Sequence, residues 1–279
     1  MSRLTAINYF DDRQTARRYA QARPSCHALA ARRIAALCGR DGFARALDCG
    51  CGTGASTHAM AAIAEHVTGI DPSAHMLAEA EPAPRVDFRQ SPAETLPFAG
   101  SSFDLVTVAA ALHWFDAPLF FGECRRVLAP GGVLAVYNDH FTTHLRGAAE
   151  FSRWMRRVYL RRYRASWRGM RDFDAAAAAE AGFGVVAQES FEHNEHFTRA
   201  GFADYLLTHS NALSALRRGQ ETAPQIAAWL DSELQHFLPD PAAEGGFLFK
   251  CNLWLLQPAD SPAASCTETP LPTNGAASF

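Results

Sequence analysis

The sequence predicts a doubly wound α/β fold, with a mostly parallel seven-stranded sheet and helices on both faces. Three observations lead there. Between residues 43 and 138 short apolar runs alternate with helix-favouring stretches, the rhythm of βαβ crossovers. A glycine-rich turn at 50–54 lies where the first apolar run gives way to the first of those helices. Two further apolar runs, Val185–Phe191 and Phe247–Leu256, supply the last two strands. The length, 279 residues with 48% hydrophobic and 20% charged, suits one large domain or one and a half and argues against wholesale disorder.

In chain order, residues 1–40 read as helical, with Leu29, Ile34 and Leu37 spaced for one helix face. Pro24 divides two helices there, because its ring cannot continue a helix from within. The strands after it are Phe43–Cys49, Val67–Asp71, Val86–Arg89, Phe103–Ala109 and Val133–Tyr137. Ser56–Glu65, Ser73–Glu81 and Asp116–Leu128 are rich in Ala, Leu and Met and read as helices. After Asn138 the rhythm breaks. Phe151–Arg171 reads as one amphipathic helix, with Phe151, Trp154, Met155, Val158, Tyr159 and Tyr163 on one face. Arg153, Arg156, Arg157, Arg161, Arg164 and Arg168 lie on the other. A helix over Phe173–Ala181 ends at Gly182, a residue suited to a left-handed cap. Ala200–Leu216 and Ala223–Phe237 are helical. The division expected is a helical cover at 1–40, a main domain at 41–257 with helical insertions near 145–181 and 200–237, and a disordered Pro/Ser/Thr/Gly/Ala tail at 258–279.

Composition excludes several classes of function. A net charge of −3 gives the molecule no overall attraction for nucleic acid or anionic lipid. No apolar run approaches the roughly 20 residues of a membrane span. The start carries Asn8, Asp11 and Asp12 where a secretory segment needs an apolar stretch, so the cytoplasm is the expected compartment. Seven cysteines without CxxC spacing argue against a zinc site or disulfide framework, and no metal is expected. His193 and His196, three apart on a strand, would point to opposite faces and make a poor metal pair. Lys250 is the sole lysine among the basic residues, so a single arginine is weak evidence of function.

The chemistry concentrates at Asp48-Cys49-Gly50-Cys51-Gly52-Thr53-Gly54. Glycines at such a turn let the backbone approach a ligand and turn helix-terminal amides towards it. Gly50, Gly52 and Ala55 also satisfy a dinucleotide fingerprint, with Asp71 about 20 residues on. Asp48 tips the balance. A carboxylate at the mouth of the loop repels a pyrophosphate but suits a ligand bearing an ammonium group, such as the amino-acid end of S-adenosylmethionine.

In order along residues 41–138, the chain resembles the class I S-adenosylmethionine-dependent methyltransferases. Asp48, Gly50, Gly52 and Gly54 match the family's first motif, and the resemblance implies that this loop holds the cofactor's amino-acid portion. Asp71 matches the acid after the second strand that receives the ribose hydroxyls, and Met76 the hydrophobe beside the adenine. Ala93 and Glu94, in Ala93-Glu94-Thr95-Leu96-Pro97-Phe98, resemble the adenine-edge loop; Pro92 stands where many relatives carry an acid. Phe103-Asp104-Leu105-Val106 matches the fourth strand, whose end at Ala109 borders the cofactor. Arg126-Val127-Leu128-Ala129-Pro130-Gly131-Gly132 matches the turn before the fifth. In the family the last strands form a hairpin beyond strand five, giving a Rossmann-like sheet. His113-Trp114-Phe115, Tyr19 with Arg23-Pro24, and Tyr205–Ser210 are similar to a small-molecule subgroup that includes trans-aconitate-type enzymes, in which the amino-terminal helices cover the cofactor.

The function this implies is methyl transfer to a small-molecule acceptor, a carboxylate or hydroxyl, by in-line displacement. A carboxylate needs no base; a hydroxyl needs one, and His113 or His140 at the carboxyl ends of strands four and five would serve. Tyr9, Tyr19 and the aromatic helix around Trp154–Tyr163 would wall the site, and Asn138 or Tyr163 would orient the attacking amine if S-adenosylmethionine closed on itself. His113 and Trp114 also read as ordinary packing, Asn138-Asp139-His140 as a solvated turn, and the arginine stripe as a solvated helix face. Two other functions fit the same motifs: cyclisation of S-adenosylmethionine to azetidine-2-carboxylate with release of methylthioadenosine, and catalytically silent cofactor binding. A small molecule is the expected partner, with neither nucleic acid nor membrane involved.

Overall fold

Strand β1 (Phe43–Cys49) lies in mid-sheet because its apolar side chains can be covered on both faces, as parallel strands require. The computed structural model, which describes residues 12–164 and 173–260, pairs it in parallel with β2 (Ala64–Asp71) and with β4 (Phe103–Ala109). β3 (Val86–Gln90) pairs with β2, and β5 (Leu128–Leu145) with β4, again in parallel. β6 (Phe183–Phe197) and β7 (Gly245–Pro258) complete the order β3-β2-β1-β4-β5-β7-β6, mostly parallel with one antiparallel hairpin. The expected α/β sheet is therefore present.

Several boundaries differ from the sequence reading. Helix α3 (Ala55–Met60) stops five residues short of Glu65, because the Ile63 carbonyl already accepts the Phe43 N–H and draws the chain into the sheet. Helix α4 (Ala74–Leu77) is a single turn, opened by Ser73, whose hydroxyl accepts the Met76 N–H. β5 starts at Leu128 rather than Val133. Phe103 pairs with Leu128 and Leu105 with Val133, so Ala129–Gly132 bulge out between two paired stretches. Helix α5 (Ala117–Val127) begins at an Asp116 cap and agrees with expectation.

The chain divides into two compact units. One contains Ser25–Asp139 with the described residues 173–191 and 251–260. Its sheet separates two apolar layers. Leu47, Val106, Val108, Leu134 and Val136 pack with Phe120, Phe121 and Cys124 of α5 and Ala178 of helix α8 (Ala175–Glu180). On the other face Ala46, Val67, Leu105, Val133 and Leu253 pack with Ala30, Ala31, Ile34 and Cys38 of helix α2 (His27–Cys38). The segment 1–40 thus divides at Pro24: α2 helps build the core, while helix α1 (Arg13–Ala22) belongs to the second unit.

That second unit holds the described residues up to Pro24, residues 140–164 and Glu192–Lys250. Its helices are α1, α6 (Phe151–Trp154), α7 (Leu160–Arg162), α9 (Arg199–Leu207), α10 (Ser210–Arg217) and α11 (Ala223–Leu234). The single helix expected over Phe151–Arg171 is interrupted: Met155–Tyr159 form a π turn between α6 and α7, and the regular structure ends at Arg162. The wider turn shifts the buried face by one position. Tyr159 and Tyr163 are buried, and Val158, expected beside them, is exposed. An aromatic cluster forms the core, with Phe202 stacked on Phe247 at 4.0 Å and Phe151, Trp154 and Phe249 around them. Thr208 and His209 split the expected Ala200–Leu216 helix into α9 and α10.

Pro258, expected to open the tail, is still in β7, and the Ala259 N–H is donated to the Gly182 carbonyl. Residues 1–11 of the expected cover, 165–172 of the expected long helix and 261–279 of the expected tail lie outside the described residues. No helix among the described residues is long and apolar enough to cross a membrane.

The fold has a pH signature. Burial holds His27 neutral and pushes its pKa down to about 4, against the opposing pull of Asp139; its Nδ1 lies 2.9 Å from the Tyr137 hydroxyl. The unfolded chain takes up that proton near pH 6.5 and the folded one only near 4, so this stabilisation is full above 6.5 and lost as pH falls through that window. Urea denaturation should show stability falling on the order of 2–3 kcal/mol more in the native protein than in His27→Gln between pH 6.5 and 4. Parallel pH profiles for the two proteins would disprove it.

Candidate functional site

Between the end of β1 and the start of α3 the chain turns through Gly50, Gly52 and Gly54, all at positive φ (+69°, +56°, +86°). A Cβ at Gly50 would meet the Ala111 methyl at 2.6 Å, and one at Gly54 would meet the Phe88 ring at 2.7 Å, so conformation and space both require glycine. The Gly50 and Cys51 N–H groups are donated to the Ile70 carbonyl, tying the loop to the end of β2. Gly52 donates its N–H to Asp71 Oδ2 at 2.9 Å, and Ser73 donates its own to Oδ1 at 2.8 Å. Asp71 is thereby aimed from both sides. Each oxygen keeps a lone pair for a further donor, although burial raises its pKa.

Asp48 is not at the mouth of the loop, as the sequence reading had it, but completely buried beneath it. Ser56 Oγ and Thr57 Oγ1 donate to Oδ2 at 2.5 and 2.8 Å, and Thr107 Oγ1 to Oδ1 at 2.8 Å. Thr107 lies opposite Asp48 on β4, and Gly69 lies opposite it on β2. A Cβ on Gly69 would meet Thr57 Oγ1 at 2.7 Å. Burial raises the carboxyl pKa and the three hydroxyls pull it back down. The side chain that sequence reasoning assigned to ligand contact thus braces the loop from behind. Reasoning from sequence also missed Ser56, Thr57 and Thr107; the available signal was a lone hydroxyl within the otherwise apolar stretch Leu105–Ala109.

Other expected residues gather around the loop. Met76 is buried, its Cε 3.1 Å from a Cβ placed on Gly52. Ala93 is buried, and Glu94 Oε1 accepts the Asp116 N–H at 2.8 Å. The rest of that loop is held by α5: Leu96 donates its N–H to Glu123, while Arg126 pairs with Glu123 and donates to the Leu96 and Phe98 carbonyls. Pro92 is exposed, and Ser91 Oγ donates to the Pro92 and Thr95 carbonyls. After Ala109, which ends β4, Ala110 takes a left-handed φ of +50° and donates its N–H to the Tyr137 carbonyl. A short 3₁₀ turn, Leu112–Trp114, then carries half-buried His113, with its ring 5.1 Å from that of Trp114. Asn138 is buried on β5 in the same unit. His140 and Tyr19 belong to the second unit. Of the histidines on β6, His193 Nδ1 lies 3.0 Å from Glu195.

The buried carboxylate gives a direct test. Asp48→Ala leaves three buried hydroxyls without their acceptor and should lower stability by roughly 2–4 kcal/mol, whereas Thr107→Val should cost about 1 kcal/mol. Equal urea midpoints for the native and Asp48→Ala proteins would be incompatible with this bracing role.

Comparison with known proteins now bears on this geometry. Residues 47–136, from within β1 to within β5, match the family model of a methyltransferase domain. The malonyl-(acyl-carrier protein) O-methyltransferase of Enterobacter lignolyticus is 42% identical over 95 residues, 33% of this chain and 38% of that protein. The trans-aconitate 2-methyltransferase of Deinococcus radiodurans is 40% identical over 124 residues, 41% of this chain and 47% of its own. The chain spans half or less of the length of these relatives. Among solved structures, a candidate type II methyltransferase from Anaeromyxobacter dehalogenans superposes with a TM-score of 0.66 at 24% identity, covering 82% of this chain and 94% of its own, which shows a shared fold. The first strand, the glycine loop and Asp71 thus lie within the segment that matches a methyltransferase domain, a family that uses S-adenosylmethionine.

Proposed function

We propose that the protein transfers a methyl group from S-adenosylmethionine to a small-molecule acceptor bearing a carboxylate or hydroxyl. One observation carries the reading: Asp71, at the end of β2, is oriented by the Gly52 and Ser73 N–H groups and retains acceptor capacity on both oxygens. Two adjacent ribose hydroxyls match that capacity. We assign the glycine turn, braced from below by the Asp48 carboxyl, to the amino-acid end. Met76, Ala93 and Glu94 are assigned to the border of the adenine, and Ala109 and His113, at and after the end of β4, to the cofactor as well.

The bound cofactor supplies a methyl carbon already activated by its sulfonium. The task left to the protein is to align the acceptor with that carbon and exclude water. We assign Tyr19 to the wall of the site, Asn138 to orienting the attacking group, and His113 or His140 to receiving the proton of a hydroxyl acceptor. The names of the two relatives above, which bear on malonyl and aconitate groups, support an acid as acceptor. The described cysteines are buried, which suits thiols kept in a reducing cytoplasm.

Calorimetry should show binding of S-adenosylmethionine and none of NAD, with Asp71→Ala weakening the former by roughly 1.5–3 kcal/mol. Unchanged affinity in a folded variant would remove Asp71 from the site. With S-adenosylmethionine and no acceptor, mass spectrometry should find the cofactor largely intact. Rapid release of methylthioadenosine would instead establish a cyclase.

A further inference from the structure

The second unit contains a half-buried cation that has no acid. Arg23 comes directly after α1, and its guanidinium lies over the rings of Tyr19 (4.9 Å) and Tyr205 (5.4 Å). Nη2 donates to the Thr208 carbonyl at 3.2 Å, while Nε is enclosed by protein and meets no acceptor. Among the described residues no carboxylate contacts it. Nearby, the His209 ring meets Tyr205 edge-on at 4.5 Å and Tyr159 at 6.5 Å, and its Nε2 is likewise enclosed without a partner. Burial, and then the charge of Arg23, push the His209 pKa down to about 3, so the ring is a neutral hydrogen-bonding group at ordinary pH.

Enclosed donors left unmatched are costly, and a guanidinium N–H most of all. Aromatic faces satisfy the flat sides of a guanidinium and leave its edge, where N–H groups lie in plane, for an anion. We propose that this edge, together with His209, which shares the Tyr205 ring with it, is a binding site for a carboxylate of a small organic acid. Resting on the methyl-transfer reading above, that acid is the acceptor. A planar carboxylate suits the site, since it can receive in-plane donors from both side chains. Arginine is required at position 23 because a lysine ammonium offers neither a planar edge nor a flat face for the two rings.

The test uses the full chain, isotopically labelled, with NMR observation of arginine Nε–H resonances and the Arg23 signal identified by its loss in Arg23→Lys. Titration with acetate and with succinate, against chloride and phosphate at matched ionic strength, should move that signal saturably only for the carboxylates. Arg23→Gln and His209→Gln should each weaken succinate binding about tenfold while leaving S-adenosylmethionine affinity unchanged. Absence of a saturable carboxylate shift up to on the order of 100 mM, or an equal response to phosphate, would overturn the proposal. The two readings fail separately. Carboxylate binding without S-adenosylmethionine binding leaves this site standing and removes the methyltransferase reading; the converse removes this site alone.

Discussion

The glycine loop depends on one buried carboxylate. Asp48 gathers hydroxyls from the start of α3 and from the middle of β4, so a single side chain ties β1, β4 and the helix after the loop into one unit. Burying a carboxylate is expensive, and three short hydrogen bonds from groups that themselves needed an acceptor offset that cost. Gly69 provides the space, since a larger residue on β2 would displace Thr57. The backbone above can then hold three left-handed glycines in close succession, and Gly52 can direct an N–H at Asp71. Disturbing the carboxylate therefore reaches Asp71 through the loop, without a hydrogen bond between the two.

Motifs that look separate along the chain are mechanically joined. The 93–98 loop is pinned by Arg126 and Glu123, which belong to the helix leading into the fifth strand. Glu94 in turn holds the N–H of Asp116, the cap of that same helix. Between them the chain passes through the strained Ala110, fixed by its hydrogen bond to Tyr137 on β5. The 93–98 loop, the turn after β4 and α5 consequently form one framed edge, braced by an arginine and a glutamate that lie far from the glycine loop in sequence.

β1 and β4 were legible to the residue because each is a largely apolar run opened by a phenylalanine and closed by a change of texture. β5 was legible only in part. Pro130-Gly131-Gly132 reads as a terminator, yet here it is a bulge within a longer pairing, and the partner strand alone reveals the resumption. α3 was overextended because alanine-rich sequence favours helix whether or not the sheet claims it, and Ile63 is claimed by Phe43. The motif singled out Asp48, Asp71 and the glycines along the chain. It could not show that Asp48 points inward, since that depends on hydroxyls 8, 9 and 59 residues away. The environment of Arg23 was similarly invisible, because its neighbours Tyr205 and Thr208 lie about 180 residues downstream.

The π turn at Met155–Tyr159 carries one residue more than an α-helical path would use. Deleting one exposed residue there would let the helix close regularly while the segments on either side keep their phase, because the wide turn takes up the extra residue by itself. Phe151 and Trp154 before it, and Tyr159 and Tyr163 after it, would stay on the aromatic cluster. Exposed positions such as Arg156 and Arg157 are therefore places where the chain can change in number as well as in side chain.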